Sequence, residues 1–479
     1  MISLSDGWHI FCKQDCATCT MIQPVYQQLL DADLPLTIYT QDNPNFPVKT
    51  AVSDIDLEIS FHLNIEIVPT LIRIKDGQET ARTMGWNRAQ WETITDISRL
   101  GPGLPDSKPG CGALNVMPGT AERLLVQFGN TGMTARTIDV PPLVDEMEYL
   151  FERGWSDGLP VVPPTPERVV RMLAGTFYPP NDVVGIVPPN QTACTVEKVA
   201  INGVLAGCKP EYMPVLLAAT EAACSDKFCM HGLIATTYFS SPIIVVNGPI
   251  AQRIGMNSAG NALGQGNRAN ATIGRALQLI IRNVGGGVPG GIDRATLGYP
   301  GKYTFCFAER EHDSPWESLA VEHEFDAGTS TVTLFAGSGV QGVADQRSRT
   351  PDSLARSLAA SLRVVCHSKI ATGIEVMLII SPEHARVFAQ AGWSKTKLRS
   401  TLNDLLTLPG TEMVRGASGI AEGMPAQFAN QSIPKFREGG LHIVHAGGTA
   451  GLFSAIIGGW PASGPTGSTA VTVPIKEEP

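Results

Sequence analysis

Short apolar runs separated by polar turns open the sequence. Trp8-His9-Ile10-Phe11-Cys12 reads as a short buried strand. Apolar residues then recur at Met21, Ile22, Val25, Tyr26, Leu29 and Leu30, spacings of three and four that predict one helix. Strands are expected at 36–39 and 71–74, the second preceded by Val68-Pro69-Thr70. Asp76-Gly77 is a hairpin-turn dipeptide, a further strand leads to Met84-Gly85-Trp86, and 88–100 reads as a closing helix.

The pattern then changes twice. Residues 101–120 are rich in Gly and Pro, with Cys111 between two glycines, which is linker composition. From about 137 onward, β-branched runs alternate with Ala-rich helical stretches. Strands are expected at 183–187, 243–246 and 302–306, and helices at 195–206, 211–223 and 269–281. This alternation predicts an α/β architecture. Ile243-Ile244-Val245-Val246-Asn247-Gly248-Pro249 and Met377-Leu378-Ile379-Ile380-Ser381-Pro382 both run from a strand to a Pro at a helix start, and 441–444 before Ala446-Gly447-Gly448 gives another strand and turn. Internal duplication explains this, as does the commonness of strand–Pro–helix units. The expected organisation is a domain at 1–100, a linker at 101–136, an α/β subdomain at 137–325 and a second at 326–479.

Length supports this division, because 479 residues exceed one ordinary core. With 43% hydrophobic and 17% charged residues, the chain is globular rather than disordered. A net charge of −9 without a basic stripe argues against nucleic acid as partner. No apolar run reaches the roughly 18 residues that span a bilayer. No signal peptide is visible at the start, so a cytoplasmic protein is expected. In that compartment the ten cysteines are candidates for catalysis or packing rather than for structural disulfides.

The most specific chemistry is Cys16-Ala17-Thr18-Cys19, placed after a strand and at the head of a helix. Backbone N–H groups and the helix dipole there favour thiolate at the first sulfur. The second sulfur, one turn on, can resolve a mixed disulfide. Attack is assigned to Cys16 and resolution to Cys19. No second Cys-x-x-Cys completes a four-sulfur zinc site. The order strand, dithiol, helix, strand, Val-Pro-Thr, strand, Asp-Gly, strand, helix resembles the thioredoxin superfamily over residues 1–98. That resemblance implies a cis Pro69 lying against the dithiol. The sequence departs from thioredoxin in having Ala17-Thr18 between the cysteines, Gln14-Asp15 before them, and an extra Cys12. Cys12 reads either as a small buried strand residue or as a third redox thiol; Cys111 has no assigned role.

In the larger part, 195–212 is the most suggestive stretch. Lys198 and Asn202 fall on one helix face, Gly207 suits a C-terminal cap, and Cys208 precedes Pro210 at the next helix start, beside Lys209. Cys208 is the expected nucleophile, Lys198 and Asn202 would hold an anion, and Glu197 or Glu211 would move a proton; a buried structural cysteine is the alternative. Gly264, Gly266, Asn267, Arg268 and Arg275 form a glycine-rich turn entering a helix, a second candidate for binding an anionic substrate or for a plain capped turn. The loop 283–294 is a candidate active-site loop. Cys224, Cys229 and His231 lack zinc spacing, and no metal or other cofactor is expected. The stretches at 157–164, 207–212, 266–272 and 300–304 resemble a largely uncharacterised bacterial family related to Cys/Sec-Gly-Ser-Cys proteins, a motif absent here; the resemblance implies thiol chemistry.

Together these features lead to an expected fusion enzyme. The dithiol would serve a catalytic α/β domain acting on a small anionic or sulfur-containing substrate, with a thiol electron donor and self-association left open. A flexible linker of this length reaches roughly 25 Å. The alternatives are a dithiol oxidoreductase with a non-catalytic client-binding module, and thiolate-based metal or organometal detoxification.

Overall fold

Gly7–Cys12 (β1) forms the centre of a five-stranded sheet, because Ile10, Phe11 and Cys12 are fully buried. The structure, a computed structural model, describes residues 4–462 and 467–477. It divides into two units: Met1–Thr131 with Pro166–Val170, and Gly132–Thr165 with Arg171–Pro479. Among the described residues no helix is long and apolar enough to cross a membrane.

In the first unit β1 is followed by α1 (Ala17–Met21), α2 (Gln23–Asp31), β2 (Leu36–Thr40), β3 (Val52–Ser53), α3 (Glu58–His62), β4 (Ile67–Val68), β5 (Thr70–Lys75), β6 (Gln78–Met84), β7 (Trp86–Asn87) and α4 (Arg88–Thr95). The sheet order is β3-β2-β1-β5-β6, with β2 parallel to β1 and β5 antiparallel to it. The single expected helix is broken at Ile22, because Pro24 has no N–H to continue the α1 ladder. Val25, Tyr26 and Leu29 on α2 are nonetheless buried in one core with β1 and β5. Asp76 and Gly77 both have positive φ, 52° and 72°, as a two-residue hairpin turn between β5 and β6 requires. The closing helix ends at Thr95, five residues before the expected end, where Asp96 turns left-handed.

The segment expected to be a linker is folded. Ser107–Lys108 (β8) pairs with β7, Cys111–Gly112 (β9) pairs antiparallel with β4, and Thr120–Phe128 (α5) closes the unit. Arg88 donates to the carbonyls of Leu100 and Gly101, and buried Asn115 donates to Ile65 O at 2.8 Å. Glycine is needed here for close approach: a Cβ on Gly110 would lie 2.6 Å from Val68 O and 2.4 Å from the Ile67 side chain. The Gly/Pro content thus makes a fitted strap, not a flexible tether of roughly 25 Å reach. The first unit runs to residue 131, and 132–136 belongs to the second.

The rest of the chain contains α6 (Glu146–Glu152), α7 (Pro166–Leu173), the hairpin β10 (Val183–Val187) and β11 (Thr192–Thr195), then α8 (Val196–Ala206), α9 (Met213–Ala223) and α10 (Met230–Ala235). It continues through β12 (Ser241–Asn247), α11 (Pro249–Arg253), α12 (Arg268–Asn283), β13 (Cys306–Ala308), α13 (Leu319–Glu322), β14 (Thr331–Ala344) and α14 (Pro351–Leu362). It ends with β15 (Val376–Ile380), α15 (Pro382–Gln390), α16 (Lys395–Leu406), β16 (Thr407–Pro409), α17 (Gly410–Met413), β17 (Ser432–Pro434), β18 (Leu441–His445), β19 (Phe453–Gly459) and β20 (Val471–Pro474). Seven of these strands form one sheet, in the order β13-β12-β14-β19-β15-β18, with β20 added beside β14. No boundary therefore falls at 325, because β14 pairs with β12 on one side and β19 on the other. All residues of β12 and β15 are buried, which is why both read as continuous apolar runs. The strand expected at 302–306 is shifted: Pro300–Lys302 is a 3-10 turn and pairing begins at Cys306.

Candidate active site

Cys16 is the N-cap of α1, and its sulfur accepts the backbone N–H of Cys19 at 3.3 Å. That sulfur lies 3.5 Å from Val68 O. The Val68–Pro69 peptide is cis, and Pro69 is buried beside the dithiol. A hydrogen bond from the Cys19 thiol, then one from Cys111 and the N–H groups of Cys19 and Thr18, outweigh burial and lower the Cys16 thiol to about 5. Burial and the donated bond push Cys19 up. The two sulfurs therefore differ in the sense that a nucleophile and a protonated resolving thiol require.

Two further cysteines flank this pair. Cys12 is fully buried on β1 with its thiol 3.4 Å from Tyr39 O, and burial raises it far above the usual thiol range. It has the character of a packing residue. Cys111 is half-buried and stands opposite Val68 across the β4–β9 pair, and the neighbouring Cys16, followed by burial, raises its thiol. Its neighbours are fastened by the bond from Thr18 Oγ1 to Pro109 O, 2.7 Å. The sequence showed Cys111 between glycines but gave no sign of this position, because the contact is made by a strand pair spanning some forty residues.

The residues proposed from sequence around Cys208 do not form a nucleophilic site. Burial pushes the Cys208 thiol up to about 12, against the weaker opposing effects of Thr272, Arg268 and Arg275. Pro210–Tyr212 does open a helical segment, but desolvation dominates. Cys208 thus has the alternative role of a buried structural cysteine. Glu197 is buried and accepts the N–H groups of Thr134 and Ala135 at 2.9 and 3.0 Å, fastening that segment. Lys198 Nζ donates to Ala193 O at 2.7 Å. Asn202 donates to Lys198 O and accepts from Asn283, so its amide is spent inside the fold. Lys209 and Glu211 are exposed.

The glycine-rich turn is likewise a capped turn. Asn267 Oδ1 caps α12 by accepting Asn270 N, and its amide donates to Gly255 O. Arg268 donates to Gly207 O. Gly266 has φ 111°, and Gly264 leaves room for Asn261. Arg275 makes two 2.8 Å bonds to Asp157 and further bonds to the carbonyls of Leu159 and Pro160. Both partners are little exposed, 13% and 12%. Removing one member leaves an uncompensated charge, so Arg275→Met is expected to destabilise the second unit by about 3 kcal/mol. Asp157→Asn with Arg275→Met should cost less than the sum of the two changes. Region-resolved hydrogen exchange in urea measures both; additive losses would deny the coupling.

Two cavities lie elsewhere in the second unit. One, of 510 Å³, is bounded by Ser241, Arg282, Asp293, Tyr299, Lys302 and the glycine-rich loop at 287–290. There Lys302 pairs with Asp293 at 2.8 Å and Tyr299 bonds to Ser241 Oγ at 2.7 Å. The other, of 440 Å³, is lined by Gly264, Ser381, Gly447, Gly448 and Phe453 at the ends of β15 and β18. Cys208, Lys198 and Arg268 line neither. Among the described residues no group of three or more His, Cys, Asp or Glu side chains is arranged to hold a metal ion. No protein-family model matches the chain, and no curated protein matches it significantly.

Proposed function

We propose that this protein is a thiol–disulfide oxidoreductase of the thioredoxin-like kind, working in the cytoplasm with a thiol electron donor. The observation that carries the reading is the placement of the dithiol: Cys16 caps α1 with its sulfur accepting the Cys19 N–H at 3.3 Å and lying 3.5 Å from Val68 O, with Cys19 buried one turn on, and in that setting Cys16 is lowered and Cys19 raised. The topology supports it. A parallel β1–β2 pair bridged by helices, with a β5–β6 hairpin added antiparallel on the other side, is the arrangement expected of a thioredoxin-like core. Cys16 attacks a disulfide, Cys19 resolves the mixed disulfide, and two electrons pass to the substrate.

The second unit is read as a duplicated α/β module that binds a small molecule or client. In β13-β12-β14 and in β18-β15-β19 the outer strand is parallel to its neighbour and the inner one antiparallel, and β14 pairs with β19 in the middle. Pro249 and Pro382 start the helices after β12 and β15. With Cys208 buried and lining neither cavity, the 510 Å³ cavity, which carries Lys302 and Arg282 together with Asp157 and Asp293, is the better candidate for a small polar substrate.

The test is direct. The reduced full-length chain, given excess oxidised glutathione, is expected to deliver two electrons per chain, with Cys16 joined to a second protein cysteine in peptide mapping. A chain in which Cys16 stays a free thiol would end the oxidoreductase reading.

A further inference from the structure

Cys111 sits where a third participant in exchange would have to sit. The β4–β9 pair puts it opposite Val68, whose carbonyl oxygen lies 3.5 Å from the Cys16 sulfur. The strap is held on both sides: Thr18 Oγ1 donates to Pro109 O, and Gly110 packs against Val68 O with no room for a Cβ. The Cys111 thiol is close enough to Cys16 for the two to influence each other's ionisation, and the N–H groups of Ala17 and Thr18 act on its sulfur as well. The Cys16 thiolate is the main cause that raises the Cys111 thiol, with burial next; once Cys16 is tied up in a mixed disulfide that cause is gone, while the two N–H donors remain to steady negative charge on Cys111. Exposure separates the two candidates for resolution. Cys19 is fully buried, whereas Cys111 is half-buried and open to solvent.

We propose that Cys111 is a third redox thiol, which attacks the mixed disulfide on Cys16 from the solvent side and closes a Cys16–Cys111 disulfide in competition with Cys19. The proposal rests on the oxidoreductase reading above. In the first step the Cys16 thiolate attacks R–S–S–R′, a Cys16–S–S–R bond forms, and R′S⁻ leaves. In the second, Cys111 gives its proton to solvent, its sulfur bonds to Cys16, the S–R bond breaks, and RS⁻ leaves. The two protein sulfurs are oxidised by two electrons and the substrate disulfide is reduced by two. Cys19 can then attack Cys16 and free Cys111, an isomerisation with no net electron transfer. The strap thereby becomes part of the redox centre, and the oxidised protein has two interchangeable disulfides.

The test uses full-length Cys19→Ser and Cys19→Ala chains, the second leaving no buried hydroxyl, each given one equivalent of oxidised glutathione and mapped by mass spectrometry. The expected result is a Cys16–Cys111 disulfide with two equivalents of glutathione thiol released. Adding Cys111→Ser should stop the reaction at a stable Cys16–glutathione adduct with one equivalent released. The natural sequence, quenched by acid during partial oxidation, should show both disulfides, which needs no variant to fold. A Cys19 variant that keeps glutathione on Cys16 while Cys111 stays free, together with only Cys16–Cys19 in the natural sequence, overturns the role of Cys111 and leaves the dithiol reading standing. Cys16 unreactive in every chain would sink the dithiol reading itself.

Discussion

A chain carrying both Cys16→Ser and Cys111→Ser is expected to lose thiol–disulfide exchange at the redox centre almost completely, because a serine hydroxyl does not attack disulfides and the remaining Cys19 is fully buried and protonated. The pH profile of the natural sequence is more diagnostic than the loss. A thiol lowered to about 5 is roughly 99% ionised at pH 7, against about 3% for an ordinary cysteine. That gain of about 30-fold is nearly cancelled, since a thiolate so weakly basic is about 40-fold less nucleophilic. Cys16 should therefore react with iodoacetamide no faster than free cysteine at pH 7. At pH 5.5 the ordinary thiol is about 0.1% ionised and Cys16 still mostly so, so Cys16 keeps most of its pH 7 rate while free cysteine loses about 30-fold. Its rate should stay flat from pH 8 to 6 and halve near 5. Mapped alkylation of residue 16 across pH 4–9 gives the curve, and a midpoint between 8 and 9 would show an ordinary thiol.

Much of the dithiol unit was legible because its signals are local. Asp76-Gly77 needs only two residues to announce a hairpin, and the run from Trp8 to Cys12 needs only its own apolarity. The helix break at Ile22 was equally local, but the apolar spacing across it hid the effect of Pro24. The misreading of 101–120 had a different source. Glycine and proline mark both flexible tethers and close approaches, and only the partner strand tells them apart; for Gly110 that partner is β4. Cys208 failed for a related reason. A helix start and nearby arginines are visible in sequence and favour thiolate, while the desolvation that outweighs them depends on packing from distant segments. The cavity at Tyr299 and Lys302 draws on Asp157, α10, β12, α12 and the segment 287–303, which no single motif marks.

The dithiol should also make the stability of the first unit depend on its redox state, by an amount that changes with pH. In the reduced chain Cys16 has a folded value of about 5 against 9.0 for an ordinary thiol, so the unfolded state binds more protons between these values. Stability from this group is therefore fully present above pH 9 and lost as pH falls through 5, changing by about 1.4 kcal/mol per pH unit. At pH 7 it amounts to about 3 kcal/mol, and at pH 9 to about 5. The oxidised chain lacks the thiolate but has a Cys16–Cys19 crosslink, and so short a loop contributes only about 2 kcal/mol. Raising the pH from 5 to 9 should therefore stabilise the reduced form relative to the oxidised one. Urea titrations of the full chain in both redox states, read by hydrogen exchange of peptides covering β1 and β5, isolate this unit from the second. The difference between the two states should tilt toward the reduced form as pH rises. Because a folded state that prefers the dithiol must be reached by giving up the disulfide, the same tilt makes the protein a stronger oxidant at higher pH than an unperturbed dithiol under the same conditions. A gap between oxidised and reduced stability that stays flat from pH 5 to 9 would mean that the Cys16 thiolate gains nothing from its surroundings, and the donors around it would then be packing contacts alone.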